Sequence, residues 1–290
     1  MIVRRSLLAA LLAVALLAPA CGEGDGDGTA AAAELQAALQ PEPEATAATA
    51  ATDATDERRP TTEDPLRLMM AGDSLMADIS LAIASTVQDG GRALARLAEE
   101  PSIPRTDEVR DRWRQRLARF DPELVVVLIG VWEGMATGAP GRYPLGSVEW
   151  ERTYRQRLLD PYVELLASRG AKVLWIGMPP VPDARRQRGF TAMNRAVRHL
   201  AEESPDLTYV PGDRILARRN GSYTAFLPGS QGNPQRVRRV DNTHLCAWGA
   251  VRLARPVLDY VDRQWDLPPA PNWPRRNWRW VFPRDECPPS

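Results

Sequence analysis

The chain has 290 residues, of which 37 are basic and 37 are acidic, so its formal net charge is zero. This balance gives the chain no overall electrostatic preference for nucleic acid, and we expect no nucleic-acid partner. The composition becomes that of a folded protein after residue 64, and the length that remains suits one α/β domain with a full hydrophobic core.

The first 21 residues predict an export signal. Two arginines, Arg4 and Arg5, precede an apolar run that is followed by small residues and then Cys21. This order is typical of a secretory signal, and the apolar run is too short to span a membrane. Cys21 stands where a bacterial lipobox, which the segment resembles, carries its lipidated cysteine. We therefore expect a lipid anchor on the outer face of the cytoplasmic membrane, with cleavage into a free secreted protein as the alternative.

Residues 22–64 predict a disordered tether. They hold 11 acidic residues and two arginines among Gly, Ala, Thr and Pro, with almost no large apolar side chains. Such a segment cannot offset its conformational entropy by burial. The folded domain is predicted over residues 65–265, and residues 266–290 form a tail rich in Pro and Trp that we expect to pack on it.

Apolar runs alternate with amphipathic segments along residues 65–265. Strands are predicted at 66–72, 91–98, 123–130, 171–180 and 207–210, and helices at 74–88, 106–120, 148–170, 191–204 and 247–265, with an interruption near Pro161. This alternation predicts a three-layer α/β/α fold with a five-stranded parallel sheet in the flavodoxin-like order 2-1-3-4-5. Ligands of such sheets bind at the carboxyl ends of the strands, beside the switch between strands 1 and 3.

The stretch "LMMAGDSLMAD" places Ser74 directly after the first predicted strand. A serine there is either a helix cap or a nucleophile at the edge of the sheet. A nucleophilic serine needs a base to take its proton, and the base needs a third group to orient it. Two histidines are available, and His199 lies within a predicted helix, where we expect no catalytic role.

The second histidine, His244, lies before the last helix, and Asp241 precedes it by three residues. In a loop or a first helical turn this spacing brings the carboxylate close to the imidazole. The alternative for Asp241 is a helix cap.

Gly-Asp-Ser-Leu after the first strand, together with Asp-x-x-His before the last helix, resembles the GDSL or SGNH hydrolase family over residues 66–264. The resemblance implies the same three-layer fold, acyl-ester chemistry and no cofactor. Ser74 would match the nucleophile and would also give its backbone N–H to the oxyanion. His244 would match the general base and acid, and Asp241 the residue that orients His244.

The stretch "GVWEG" after the third strand departs from the family pattern Gly-x-Asn-Asp, whose Asn donates a hydrogen bond to the oxyanion. Trp132 stands in the position of Asn and Glu133 in that of Asp. Either the indole N–H of Trp132 or a backbone amide must replace the donor, or the site is slow or degenerate. The glycine that the family has after strand 2 has no clear counterpart in "LAEEPSIPRTDE".

The "WE" variant, the "HLC" sequence and the tail that ends in cysteine resemble SGNH domains attached to membrane acyltransferases of bacterial envelopes. In an exported chain Cys246 and Cys287 favour a disulfide that joins the tail to the loop of His244, with two free thiols as the alternative. The basic run "RVRRV" at 236–240 is either a solvated turn or a site for an anionic substrate. No metal-ligand spacing is present in the sequence.

Three functions remain open on the sequence. The first is an esterase or deacetylase that acts on acylated envelope carbohydrate or lipid. The second is an O-acyltransferase for surface glycans that uses the same three residues, because water access to the acyl-enzyme decides between the two outcomes. The third is an envelope-binding lipoprotein with a degenerate site.

Overall fold

A five-stranded parallel sheet forms the centre of the protein in the computed structural model, which describes residues 58–135, 143–276, 279 and 281–288. The strands lie in the order β2-β1-β3-β4-β5. They are β1 Leu66–Gly72, β2 Ala93–Glu99, β3 Leu124–Leu128, β4 Lys172–Ile176 and β5 Leu207–Val210. The predicted α/β class, strand number and strand order are confirmed.

Helices cover both faces of the sheet and complete the three layers. They are α1 Ser74–Val87, α2 Asp107–Phe120, α3 Val131–Met135, α4 Val148–Tyr154, α5 Asp160–Ala167, α6 Ala184–Glu203, α7 Gly212–Ile215 and α8 Ala247–Trp265, with a 3₁₀ turn at Trp273–Arg275. Helix α1 packs against α8, α2 packs against α5, and α4 packs against α6. Within the residues given above, none of the helices is both long and apolar enough to cross a bilayer.

The core lies on both faces of the sheet. Strand β3, with the sequence LVVVL, is buried at every residue, as a central parallel strand covered by helices requires. Strand β1 is buried at six of its seven residues. Gly72 ends β1 opposite Leu128 of β3, so the two strand ends that precede "DSLM" and "GVWE" lie side by side.

Helix α6 starts earlier than predicted, because Asp183 caps it by accepting a hydrogen bond from Arg186 N at 2.7 Å. Helices α3 and α7 were not predicted from the sequence. The same holds for a hairpin of two short strands, β6 Phe226–Pro228 and β7 Pro234–Arg236. These elements are of three to five residues, which is too short to show a hydrophobic period.

The predicted interruption near Pro161 is a π-helical turn, Arg155–Leu159, that joins α4 to α5 without a break in the helical path. Asp160 N donates to Arg155 O, five residues earlier. Pro161 has no N–H to give to the carbonyl of Arg157, so the helix accommodates one wider turn at this point.

Residues 58–64, which the sequence analysis assigned to the tether, contact the domain. The Arg58 guanidinium pairs with Glu123 before β3 and donates to Asp64 O at 2.8 Å, and Pro60 is buried. The predicted tether therefore extends too far at its carboxyl end. The signal segment 1–21, Cys21 and residues 22–57 lie outside the described residues.

The tail after α8 packs on the domain through a few large side chains. Trp273 and Phe282 are buried, and the guanidinium of Arg255 lies 5.4 Å from the Trp273 ring. A disulfide joins Cys246, at the start of α8, to Cys287 in the tail. The tail is thus held against the same loop that carries His244.

A substitution at Gly72 tests the close packing of β1 against β3. A Cβ at this residue would lie 2.0 Å from Leu128 O and 2.7 Å from Met76 Cβ, and the backbone cannot move away without breaking the sheet. We expect Gly72→Ala to lower the free energy of unfolding by about 3 kcal/mol. Gly170→Ala is the control, because its Cβ would meet nothing within 4 Å and only its φ of +83° is unfavourable. Its expected loss is about 1 kcal/mol, and equal losses in urea denaturation would contradict the packing argument.

Candidate active site

The structure brings Ser74, His244 and Asp241 together at the carboxyl edge of the sheet. Ser74 is the first residue of α1, immediately after β1, and the other two lie in the loop between β7 and α8. Ser74 Oγ is 2.8 Å from His244 Nε2, and His244 Nδ1 is 2.5 Å from Asp241 Oδ2. Because an ionised carboxylate only accepts, Nδ1 carries the proton and Nε2 is left to accept the proton of the Ser74 hydroxyl.

The second carboxylate oxygen of Asp241 shapes the loop that presents His244. Oδ1 accepts the backbone N–H groups of Thr243 at 2.9 Å and His244 at 3.0 Å. Asn242, which directly follows Asp241, has a φ of +62°. Asp241 does not cap α8, whose N-cap residue is Cys246. One side chain therefore both folds the loop and contacts the imidazole.

The electrostatics of Asp241 favour its ionised form. Partial burial raises the pKa of this carboxyl, but hydrogen bonds from the His244 side chain and from the N–H groups of Thr243 and His244 outweigh it and bring the pKa below its usual range. A negative charge beside Nδ1 supports an imidazolium that forms when Nε2 takes a proton.

Asp73 connects the two strand ends at which the site is built. Its Oδ1 caps α1 by accepting Leu75 N at 3.0 Å, and its Oδ2 accepts both Gly130 N and Val131 N at 2.9 Å. Burial raises the pKa of Asp73, and the three N–H groups act against that rise. Asp73 therefore fixes Ser74 relative to the turn after β3.

These contacts limit which groups can stabilise an oxyanion. The N–H groups of Gly130 and Val131 already donate to Asp73 and are not free for this role. Ser74 N is the first N–H of α1, a position without an acceptor inside its own helix. Trp132 is 59% exposed, and the contribution of its indole N–H to the oxyanion stays a prediction.

Glu133 is buried and holds a neighbouring loop. Its Oε1 accepts Ile103 N at 2.8 Å from the segment after β2, and Arg105 lies 3.8 Å away. Its Oε2 is buried and has no hydrogen-bond partner among the residues that the structure describes. Burial raises the pKa of Glu133. No signal in the sequence indicated this link between the ends of β2 and β3.

The basic run 236–240 is neither a solvated turn nor an open anion site, and both expectations are corrected. Arg238 is fully buried and donates to Thr243 O at 2.6 Å and Pro180 O at 2.8 Å. Burial lowers its pKa to about 10. Arg239 pairs with Asp78 and Glu286. The arginines face inward because the loop backbone they bind has no secondary structure to satisfy its carbonyls.

Asp78 lies one turn after Ser74 on α1, and it was not identified from the sequence. Burial raises the pKa of Asp78 to about 6, although Leu245 N and Arg239 both favour its ionised form. The other histidine, His199, is 2.5 Å from Glu151 between α6 and α4 and takes no part in the site. Among the described residues no group of three or more His, Cys, Asp or Glu side chains could hold a metal ion.

Glu133 also gives a pH-dependent prediction. Since its pKa is raised in the folded protein, the native state binds more protons at this carboxyl than the unfolded state above about pH 4.5. The contribution of Glu133 to the free energy of unfolding therefore falls as the pH rises from about 4.5 toward the raised value. Gln has the same shape, can accept from Ile103 N and carries no charge, so Glu133→Gln should remove this fall.

The measurement is urea denaturation of the wild type and Glu133→Gln over a series of pH values. We expect the stability advantage of the variant to grow as the pH rises. Glu149→Gln, at an exposed position of α4, controls for the loss of one negative charge. A difference that stays constant or shrinks with rising pH would show that Glu133 is not destabilised by its burial.

Several solved structures are similar to the chain at low sequence identity. The catalytic domain of Streptococcus pneumoniae peptidoglycan O-acetyltransferase A is 15% identical, with 71% of this chain and 97% of that chain covered and a TM-score of 0.43. An acetylxylan esterase of Geobacillus stearothermophilus is 15% identical, with 70% and 96% covered and a TM-score of 0.43. These values are too low to assign a function. No curated protein matches the chain in sequence.

A family model matches residues 67–260, from the first residues of β1 into α8. The matched segment contains Ser74, Asp241 and His244 and covers well over half of the chain. The family is described as a protein of unknown function, DUF459. The chain belongs to the DUF459 family.

Proposed function

We propose that the protein is a serine ester hydrolase that uses Ser74 as nucleophile, His244 as general base and acid, and Asp241 as the residue that orients His244. The observation that carries the proposal is the 2.8 Å contact of Ser74 Oγ with a nitrogen whose ring is held from the other side by Asp241. A helix cap at Ser74 would need no imidazole, whereas an activated hydroxyl needs this arrangement.

The reaction follows from the proton positions. Ser74 Oγ attacks the ester carbonyl carbon while its proton passes to His244 Nε2, and the oxyanion that forms is stabilised by Ser74 N–H. His244 then gives the proton to the leaving alcohol, which leaves an acyl group on Ser74. A water molecule attacks this acyl group while His244 Nε2 takes its proton, and His244 returns that proton to Ser74 Oγ as the bond to the acyl group breaks and the acid is released.

Solvent access favours hydrolysis over acyl transfer. The side chains of His244 and Asp241 are 31% and 45% exposed, so water can reach the base from outside. A transferase must keep water from its acyl-enzyme until the acceptor binds. The exposed imidazole therefore supports an esterase or deacetylase as the main activity, with transfer to a glycan hydroxyl as the second candidate.

We infer an acylated carbohydrate or lipid of the cell envelope as the substrate class, because the amino terminus has the pattern of an export signal with Cys21 as its lipid attachment site. The Cys246–Cys287 disulfide supports an oxidising compartment. Recovery of the protein in the membrane fraction, with its release in Cys21→Ala, is the expected result. A protein that stays in the cytoplasm would contradict the inference.

Replacing the nucleophile tests the proposal directly. We expect Ser74→Ala to lower the rate of hydrolysis of a short p-nitrophenyl ester by more than about 1,000-fold, because the groups that remain in the site of the variant can only bind the substrate. A serine-reactive phosphonate should label the wild type at Ser74, located by mass spectrometry. Ser85→Ala, also on α1, is the matched control, because Ser85 Oγ only bonds to Leu81 O within the helix.

Failure of the phosphonate to label Ser74, together with no hydrolysis of any short ester, would contradict the proposal. The third hypothesis, an envelope-binding lipoprotein with a degenerate site, would then be favoured. Loss of activity in Ser85→Ala as well as in Ser74→Ala would show that the helix, rather than the hydroxyl, is responsible.

A competition experiment separates hydrolysis from transfer. The wild type is given an activated acetyl ester with and without a soluble glycan, and both free acetate and acetylated glycan are measured. We expect acetate to be the main product in both cases, because water reaches His244. Acetylated glycan formed faster than acetate would make the protein an O-acyltransferase.

A further inference from the structure

Helix α1 carries a second polar group that faces the loop of His244. Asp78 follows Ser74 by four residues, so the two side chains lie on the same side of the helix. Asp78 is buried, and its Oδ2 accepts Leu245 N at 2.8 Å. One helix therefore presents the nucleophile and, one turn later, a carboxylate bonded to the residue after the base.

Arg239 completes the contact from the other side of the loop. Its Nη2 donates to Asp78 Oδ1 at 2.5 Å, its Nε donates to Leu245 O at 3.0 Å, and its backbone N donates to His244 O at 2.9 Å. The carbonyl of His244 thus accepts the backbone N–H of Arg239. The N–H and the carbonyl of Leu245 are bonded to the side chains of Asp78 and Arg239, respectively. The two ring nitrogens of His244 bond instead to Asp241 and Ser74.

The C-terminal tail supports Arg239 from outside. Glu286 Oε2 accepts Arg239 Nη1 at 3.1 Å, and Glu286 O accepts Val240 N at 3.0 Å. The next residue, Cys287, is bonded to Cys246. The tail thus contacts both ends of the segment that contains Asp241 and His244.

We propose that Asp78 and Arg239 are positioning residues that keep the backbone of His244 and Leu245 at the distance from α1 at which His244 Nε2 reaches Ser74 Oγ, with Glu286 of the tail holding Arg239 in place. This inference rests on the proposed function. The loop between β7 and α8 has no ladder to set its distance from α1. A shift of about 1 Å at a reacting group can lower a rate about 100-fold.

The ion pair also has a purely structural interpretation, which predicts a different result. A structural pair contributes stability alone, so its loss lowers the melting temperature and leaves the turnover of the folded molecules unchanged. A positioning pair lowers kcat even at temperatures at which the variant is fully folded. It leaves KM unchanged, because neither residue contacts the substrate.

The experiment compares Asp78→Asn, Arg239→Gln and the double variant, assayed well below their melting temperatures. We expect kcat to fall about 10- to 100-fold in each single variant. Arg239→Gln leaves the buried Asp78 carboxylate without its ion-pair partner, and Asp78→Asn takes one of two carboxylates from Arg239. The double variant should therefore lose less than the product of the two single losses. Arg195→Gln is the matched control, because Arg195 pairs with Glu151 at 2.8 Å between α6 and α4, and its kcat should be unchanged.

Glu286→Gln covers the case in which the buried variants do not fold. Glu286 is 41% exposed, so its replacement loosens Arg239 without burying an unpaired charge, and we expect a smaller fall of kcat in the same direction. The inference would be overturned if Glu286→Gln has the kcat and KM of the wild type and every Asp78 or Arg239 variant that folds also has the wild-type kcat.

A measurement without substrate separates this inference from the proposed function. The chain has only two histidines, so His199→Gln assigns the imidazole NMR signals. We expect the Nδ1 proton of His244, bonded to Asp241, to shift and to exchange faster with water in the Asp78, Arg239 or Glu286 variants. If the wild type hydrolyses no ester but this shift occurs, the function fails and the positioning stands. If the signal is the same in every variant, the positioning fails.

Discussion

The carboxylate of Asp73 holds together the two strand ends on which the site is built. It accepts one N–H from the first turn of α1 and two from the turn after β3. Each of these N–H groups would otherwise be buried at a chain reversal without an acceptor, at a cost of about 1–3 kcal/mol. Because Asp73 is covalently next to Ser74, the same bonds that satisfy the turn fix the direction of the hydroxyl.

The loop of His244 has a different organisation. A single isolated backbone bridge, Arg238 to Leu245, spans it in place of a ladder, so several of its carbonyls and amides are satisfied by side chains. Arginine suits this task because its planar guanidinium donates in several directions at once. Arg238 and Arg239 serve neighbouring parts of the same loop, one toward Pro180 and one toward Asp78. Buried charged side chains therefore help to fix the loop, together with the apolar packing of Val237 and Leu245.

The long elements could be predicted from the sequence because their apolar residues form clear patterns, which are continuous in a buried strand and periodic in a helix. Strand β3 is apolar throughout, and α8 ends at Trp265 as predicted. The contact of Asp241 with His244 could also be predicted, because three residues of separation in a loop or first helical turn bring the side chains close, whereas their link to Ser74 was expected only from the resemblance to the GDSL or SGNH family. The contacts of Asp78 could not, since Leu245 and Arg239 lie 167 and 161 residues away and only the folded chain brings them near. The bond of Glu133 to Ile103, 30 residues away, could not be predicted for the same reason.

The separation of Ser74 and His244 by 170 residues has a consequence for how the protein is made. Ser74 belongs to the first strand–helix unit to be synthesised, whereas His244 precedes the last helix. Contacts between such distant parts of a chain close late, after the intervening units have assembled. A nascent polypeptide therefore carries Ser74 without its imidazole partner through nearly all of its synthesis. The hydroxyl meets His244 only when the final helix docks against the first.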